Sequence, residues 1–145
     1  MRKISDLKIL TTLDELHKQS NKELPKIVKG LAKGIFRRLR PEDMKNTFIS
    51  ISRKQGEFLY DLLRETGAKH IVEFGTSFGI STIYLAAAAR ENDGFILTTE
   101  LLAEKCRVAK RNFEKAGLME KIELREGDAL QTLQDITFNI DFLLL

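Results

Sequence analysis

The sequence has little of the chemistry that builds disulfides or structural metal sites. Cys106 is the single cysteine among 145 residues, so an internal disulfide is excluded. One cysteine with two distant histidines, His17 and His70, also argues against a structural zinc site. Apolar runs are short, and none approaches the roughly 18–20 residues that span a bilayer. The charged residues near the start do not resemble a secretory signal. We therefore expect a cytoplasmic protein without a transmembrane segment.

The composition is that of one globular domain with an uneven distribution of charge. Residues 1–40 carry 11 Lys and Arg against four Asp and Glu, whereas residues 41–145 carry 13 against 17. A weak helical pattern over 5–19 precedes a basic amphipathic helix predicted over 22–40, with an apolar stripe on another face. Its basic residues are Lys22, Lys26, Lys29, Lys33, Arg37 and Arg40. A solvated helix face explains them, and contact with nucleic acid or a membrane surface stays open but is not favoured.

Further along the chain, helical patterns alternate with short apolar runs. Helices are predicted over residues 52–66, 79–90, 102–116 and 129–135, and strands over 70–74, 95–99, 121–125 and 140–145. In the first of these helices, Phe58, Leu59, Leu62 and Leu63 are expected to face inward. Strands and helices alternating at this spacing predict an α/β fold with a doubly wound, mostly parallel sheet. We divide the chain into an N-terminal helical segment, 1–47, and an α/β domain, 48–145.

The loop after the first strand carries the clearest motif, E-x-G-T-S-x-G-x-S over residues 73–81. It lies at the carboxyl end of a strand, where open α/β sheets bind ligands. Gly75 and Gly79 let the backbone approach a ligand closely. Their spacing differs from the dinucleotide fingerprint, and Glu73 would repel a pyrophosphate, so a nicotinamide-dependent oxidoreductase is disfavoured. The same carboxylate suits the positively charged methionine end of S-adenosylmethionine.

Acidic residues also follow the second and third strands. Glu100 can accept hydrogen bonds from both hydroxyls of a ribose. Asp128 can accept one from the adenine amino group, while a neighbouring backbone N–H meets a ring nitrogen. Leu101 and Ala129 are assigned to the same site. The 73–81 motif, Glu100 and Asp128 fall at the ends of three successive strands. We therefore predict one cofactor site along that edge of the sheet.

These motifs resemble the catechol and caffeoyl-coenzyme A type O-methyltransferases, which are class I S-adenosylmethionine-dependent enzymes. The resemblance covers residues 48–145, and the 73–81 motif is its most specific part. It implies a Rossmann-like methyltransferase fold, here partial, with strand order 3-2-1-4 and N-terminal helices. It also implies that Glu73 and the loop 75–79 hold the methionine part of the cofactor, that Ser81 holds its carboxylate, and that the backbone of Ile51 contacts it. The predicted cofactor site is Ile51, Glu73, Gly75, Thr76, Ser77, Gly79, Ser81, Glu100, Leu101, Asp128 and Ala129.

In that family the sheet has seven strands, and this chain reaches the fourth. The resemblance therefore implies a C-terminally incomplete chain. The family's next acidic residue, and the Asp-Asn pair that completes its Mg²⁺ or Ca²⁺ site, would lie past residue 145. No catalytic residue and no metal ligand is assigned within residues 1–145.

The resulting hypothesis is O-methylation of a small hydroxylated, catechol-like acceptor. An RNA- or protein-directed methyltransferase stays open, with the basic segment supplying affinity for phosphates. A truncated, non-catalytic paralogue that binds the cofactor stays open as well. Family N-terminal helices cover the active site and help to form dimers, and an unpaired edge on the fourth strand also favours association with another chain. We therefore expect a homo-oligomer.

Overall fold

The computed structural model describes residues 4–33 and 50–145, and the side chains of residues 4–22 and 50–145. The predicted helical residues 34–40 and the predicted domain boundary at residue 47 lie outside these ranges. The elements are α1 (Leu7–Lys33), α2 (Arg53–Thr66), β1 (His70–Phe74), α3 (Ile80–Glu91), β2 (Phe95–Glu100), α4 (Ala103–Ala116), β3 (Ile122–Glu126), α5 (Ala129–Thr132) and β4 (Phe142–Leu144), with a short 3-10 turn at Met119–Lys121.

The four strands form one parallel sheet in the order β3-β2-β1-β4. The predicted α/β class and strand order are therefore confirmed. β1 lies in the middle, and its register places Glu73 level with Thr98 of β2 and Leu144 of β4. Since the strands are parallel, their carboxyl ends meet at one edge, where the 73–81 motif, Glu100 and Asp128 follow β1, β2 and β3.

Helix α1 corrects the prediction of two separate N-terminal helices. It is continuous from Leu7 to Lys33 and includes Pro25. Ser20, where the prediction placed the break, is buried, and its hydroxyl lies 2.6 Å from that of Ser50. This pairing satisfies the serine without ending the helix. Ile9, Leu13 and Leu16 of the first half belong to the main hydrophobic core.

Helix α2 begins and ends as the sequence predicts. Ser52 and Gln55 form a capping box at its start, and Gly67 ends it in the left-handed conformation with φ of 69°. The predicted inward face is wrong in one place: the Phe58 side chain is 64% exposed. The buried face is instead Gly56, Tyr60 and Leu63, with Leu59 and Leu62 half-buried.

Gly56 sets the rotation of α2 because α3 packs directly on it. A Cβ at position 56 would lie 2.2–2.6 Å from three atoms of the Tyr84 ring. Tyr84 is buried, and its hydroxyl lies 3.2 Å from Nε2 of His17 on α1. Helices α1, α2 and α3 therefore meet around one aromatic side chain.

The last elements are shorter than predicted. Helix α5 ends at Thr132 rather than residue 135, and Arg125 of β3 binds the Thr132 carbonyl and the Asp135 carboxylate just past that end. Strand β4 spans Phe142–Leu144, because Asp141 turns its side chain back to accept the backbone N–H groups of Lys69 and His70, each at 2.9 Å. No helix in the two described ranges has the length and apolar character needed to cross a membrane.

Candidate functional site

The loop between β1 and α3 is held in an unusual conformation by the end of β2. Backbone N–H groups of Gly75 and Thr76 both donate to the Thr99 carbonyl, at 3.1 and 2.8 Å. Gly75 has φ of 93° and Ser77 has φ of 51°. A positive φ strains a residue with a side chain and persists where the surroundings impose it, often at ligand sites. Here Glu100 imposes it, since its Oε2 accepts the Ser77 N–H at 2.8 Å.

Beside this loop lies a cavity of about 310 Å³ at the carboxyl ends of β1 and β4. The start of α2 and the first turn of α3 close two of its sides. The structure therefore brings six predicted site residues to one cavity. The residues that line it are Ser50, Ile51, Gln55, Glu73, Phe74, Gly75, Thr76, Ser77, Phe78, Ile80, Ser81, Leu144 and Leu145.

Glu73 lines the cavity, but its side chain is deeply buried, with 1% of its surface exposed. Its Oε2 accepts hydrogen bonds from the hydroxyls of Thr82, at 2.5 Å, and Thr98, at 2.7 Å. Its Oε1 has no hydrogen bond of good geometry within the described part of the chain. Burial raises the pKa of Glu73, and the nearby hydroxyls of Ser81, Thr82 and Thr98 oppose that rise. A buried carboxylate oxygen with no partner marks a place for a ligand donor.

Glu100 is buried at the end of β2, and both of its oxygens already accept backbone N–H groups. Oε2 accepts from Ser77 and Oε1 from Leu102, the latter at 3.0 Å. A carboxylate offers about four acceptor positions, so one on each oxygen remains for a diol. Glu100 therefore shapes the loop and keeps acceptor capacity for a ligand.

Helix α4 supports the same loop from its other side. Lys105 is buried, with its Nζ 3.4 Å from the Ser77 hydroxyl oxygen and 5.2 Å from the Phe78 ring centre. Burial lowers the pKa of Lys105, and Glu100 opposes that change. Asn112 donates to the Phe78 carbonyl at 2.9 Å. Cys106 lies one residue further on, buried, with its Sγ 3.5 Å from the Glu100 carbonyl oxygen, and burial raises its pKa to about 11.

The remaining predicted residues lie outside the cavity. Asp128 is exposed and caps α5, accepting the Leu130 N–H at 2.9 Å. Ala129 is buried beneath that cap, and the Leu101 side chain is 55% exposed. Gly79 begins α3 with φ of 90°, close to the ring of Phe113. These residues lie at the same edge of the sheet as the cavity, but they do not line the cavity.

Sequence reasoning missed the polar residues that support the loop. Thr82, Thr98, Lys105 and Asn112 lie within ordinary helix and strand patterns, which carry no motif. One of these contacts could have been predicted: if β1 and β2 pair in register, Glu73 lies beside a threonine of β2. Among the residues that the structure describes, no three His, Cys, Asp or Glu side chains are grouped to hold a metal ion.

Comparisons with known proteins agree on one family. A model of the O-methyltransferase family matches residues 12–143. A catechol O-methyltransferase of Niastella koreensis is 39% identical over 88 residues, which cover 61% of this chain and 39% of that protein. Caffeoyl-CoA O-methyltransferase 1 of Zea mays is 35% identical over 106 residues, covering 66% of this chain and 41% of that protein. The chain thus spans about two-fifths of the length of these relatives.

Solved structures show the same likeness in three dimensions. An O-methyltransferase from Bacillus cereus, solved in complex with SAH, superposes with a TM-score of 0.67 and 28% identity. The superposition covers 92% of this chain and 52% of that one. The described fold is therefore shared with about half of a longer O-methyltransferase.

Proposed function

This chain belongs to the O-methyltransferase family, and on that basis we propose that it binds S-adenosylmethionine and takes part in methyl transfer to oxygen. Bound S-adenosylmethionine supplies an electrophilic methyl group on a sulfonium. The observation that carries the proposal is the Glu73 carboxylate, which is buried beside a cavity of about 310 Å³ and whose Oε1 accepts no hydrogen bond of good geometry from the described residues. An ammonium donor satisfies such an oxygen, and the methionine end of the cofactor carries one.

The other residues proposed to hold the cofactor follow the sheet edge. The cavity residues Ile51, Thr76 and Ser81 surround the methionine end, and the Ser81 hydroxyl, which acts on Glu73 in the empty chain, turns to the carboxylate of the cofactor. Glu100 accepts from the ribose through the acceptor positions that its backbone hydrogen bonds leave. Gly75, Ser77 and Gly79 form the loop between these two groups. The exposed Leu101, with Asp128 and Ala129, is proposed to take the adenine.

The proposed acceptor is a small hydroxylated molecule. Relatives named for catechol and for caffeoyl-CoA support this class over RNA or protein. We further propose that the protein acts in the cytoplasm and forms a homo-oligomer.

Calorimetric titration of the chain with S-adenosylhomocysteine, the demethylated product, tests the proposal. Gly75→Val should weaken binding by about tenfold or more, equivalent to about 1.4 kcal/mol. A Cβ at residue 75 meets no atom within 4 Å, so the effect arises from valine's intolerance of φ near 93°. Glu100→Ala should weaken binding similarly, because it removes the ribose acceptor and releases the Ser77 N–H.

Gly67→Val is the matched control. Gly67 also has a positive φ, 69°, with open space around it, but it ends α2 away from the cavity. This variant should lose stability and keep its affinity. Undiminished affinity in Gly75→Val and Glu100→Ala would contradict the site. Binding of NAD without binding of S-adenosylhomocysteine would contradict the function.

A further inference from the structure

Among the side chains that the structure describes, those of residues 4–22 and 50–145, no cation lies near enough to Glu73 to balance a negative charge. Among the described residues that line the cavity, Glu73 alone has an ionisable side chain. The groups that change its pKa are burial and three hydroxyls, with no charged side chain among them. An ionised carboxylate buried without a cation is costly, and such a group lowers that cost by taking a proton.

A ligand with an ammonium group favours the ionised form of Glu73 over the protonated form. An opposite charge within about 4–6 Å favours the ionised carboxylate. The Thr82 and Thr98 hydroxyls already donate to Oε2, so they are oriented for the ionised form. Oε1 is the oxygen left for the ammonium. The site is therefore built to hold Glu73 ionised once a cation arrives.

We propose that an ammonium-bearing ligand displaces a proton from Glu73 when it enters the cavity. The O–H bond of the carboxyl group breaks, the proton passes to the solvent, and the carboxylate pairs with the ammonium. One positive charge replaces another, so the buried site never holds an uncompensated carboxylate. Glu73 thereby selects ligands that bring their own cation. This inference rests on the proposed function, because S-adenosylmethionine and its demethylated product both carry an ammonium group.

The sign of the pH dependence follows from linkage. The pKa of Glu73 is raised in the empty chain and falls when the ammonium binds. Between those two pKa values binding releases up to one proton, so affinity rises with pH by up to tenfold per unit. Above the pKa of the empty chain the affinity is constant.

The groups around Glu73 do not share this behaviour. Ser81 and Thr82 of α3, and Thr98 of β2, bring hydroxyls that do not titrate in this range. Leu144 of β4 and Gln55 of α2 also line the described part of the cavity, and neither has an ionisable side chain.

Proton release can be counted by titrating S-adenosylhomocysteine calorimetrically between pH 5 and 8 in two buffers of different ionisation enthalpy. The difference in apparent enthalpy gives the number of protons released per ligand bound. The wild-type chain should release a fraction of a proton that depends on pH, and Glu73→Gln should release none beyond background. 5′-Methylthioadenosine, which keeps the adenosine and thioether but lacks the ammonium, should release none from the wild type.

Glu126→Gln is the matched control, since Glu126 is an exposed carboxylate at the end of β3. It should release as many protons as the wild type. If S-adenosylhomocysteine binds with equal proton release in wild type and Glu73→Gln, the inference is overturned and the proposed function stands. If the ligand binds neither the wild type nor Glu126→Gln, the proposed function is overturned, and the inference with it.

Discussion

Glu73 affects the stability of the empty chain as well as its ligand. Its pKa is raised on folding, because burial disfavours the charged form. Below the ordinary glutamate pKa of about 4.3 the residue is protonated in both the folded and the unfolded chain. As pH rises from there to the folded pKa, the unfolded chain releases the proton first. The free energy of unfolding therefore falls over that window.

Glu73→Gln should remove this fall in the free energy of unfolding with rising pH. Glutamine Oε1 can accept from Thr82 and Thr98 and carries no charge, so the variant should be more stable than wild type at neutral pH. The gain should approach about 1.4 kcal/mol for each unit by which the folded pKa exceeds the unfolded value. Urea unfolding at pH 4 and pH 7 measures it, with Glu126→Gln as the exposed control. A variant less stable than wild type at pH 7 would contradict this account.

Sequence reasoning located the acidic residues but not their environments. Glu73 and Glu100 were predicted from their positions at strand ends, and both lie at the predicted edge. Their burial was not predicted, because it depends on side chains from other elements. The hydroxyls of Thr82 and Thr98 donate to the Glu73 carboxylate. The backbone N–H groups of Ser77 and Leu102 donate to the Glu100 carboxylate. These contacts join elements that are distant in the sequence, so no local sequence pattern predicts them.

Among the elements, the contact between α2 and α3 depends on the absence of a side chain at Gly56. Gly→Ala within a helix normally stabilises it by about 1 kcal/mol. At residue 56 the new methyl would overlap the buried Tyr84 ring, whose nearest atom is 2.2 Å away. Overpacking of this kind costs about 1–3 kcal/mol, so Gly56→Ala should lower the free energy of unfolding.

A double-mutant cycle with Tyr84→Leu separates the two effects. The leucine removes the far ring atoms that the methyl would meet, so Gly56→Ala should be less destabilising in that background. Urea unfolding of all four chains gives the coupling energy. Equal effects of Gly56→Ala in both backgrounds would show that the ring is not the cause.

Helix ends were predictable where residues next to the helix in the sequence determine where it ends. The predicted ranges 52–66 and 102–116 hold to within one residue, and Gly67 and Gly117 end these two helices in the left-handed conformation. Two of the errors, the divided α1 and the inward Phe58, arose where a distant residue decided the outcome. Ser50 pairs with Ser20, and Tyr84 selects the buried face of α2.

At the scale of the whole molecule, the topology was predictable because strands alternate with helices along the chain. That alternation fixes a parallel sheet, and the resemblance supplied the strand order. The sequence did not reveal how the N-terminal helix joins the core. Ile9, Leu13 and Leu16 pack there, while Asp6 pairs with Arg90 at 3.0 Å. Asp6 and Arg90 are 84 residues apart in the sequence, beyond the reach of periodicity.

The burial of Cys106 turns the chain's only thiol into a chemical reporter of opening events. The thiolate is the form that attacks an alkylating reagent, and a pKa of about 11 together with burial suppresses this reaction in the folded state. The labelling rate at pH 7.5 should therefore follow the fraction of time for which the α4–β2 contact is open. A ligand at 100 times its Kd should slow labelling by about 100-fold if that opening also disrupts its site. Mass spectrometry of iodoacetamide-treated samples measures this rate, and a rate insensitive to saturating ligand would mean that Cys106 opens independently of the loop that Glu100 holds.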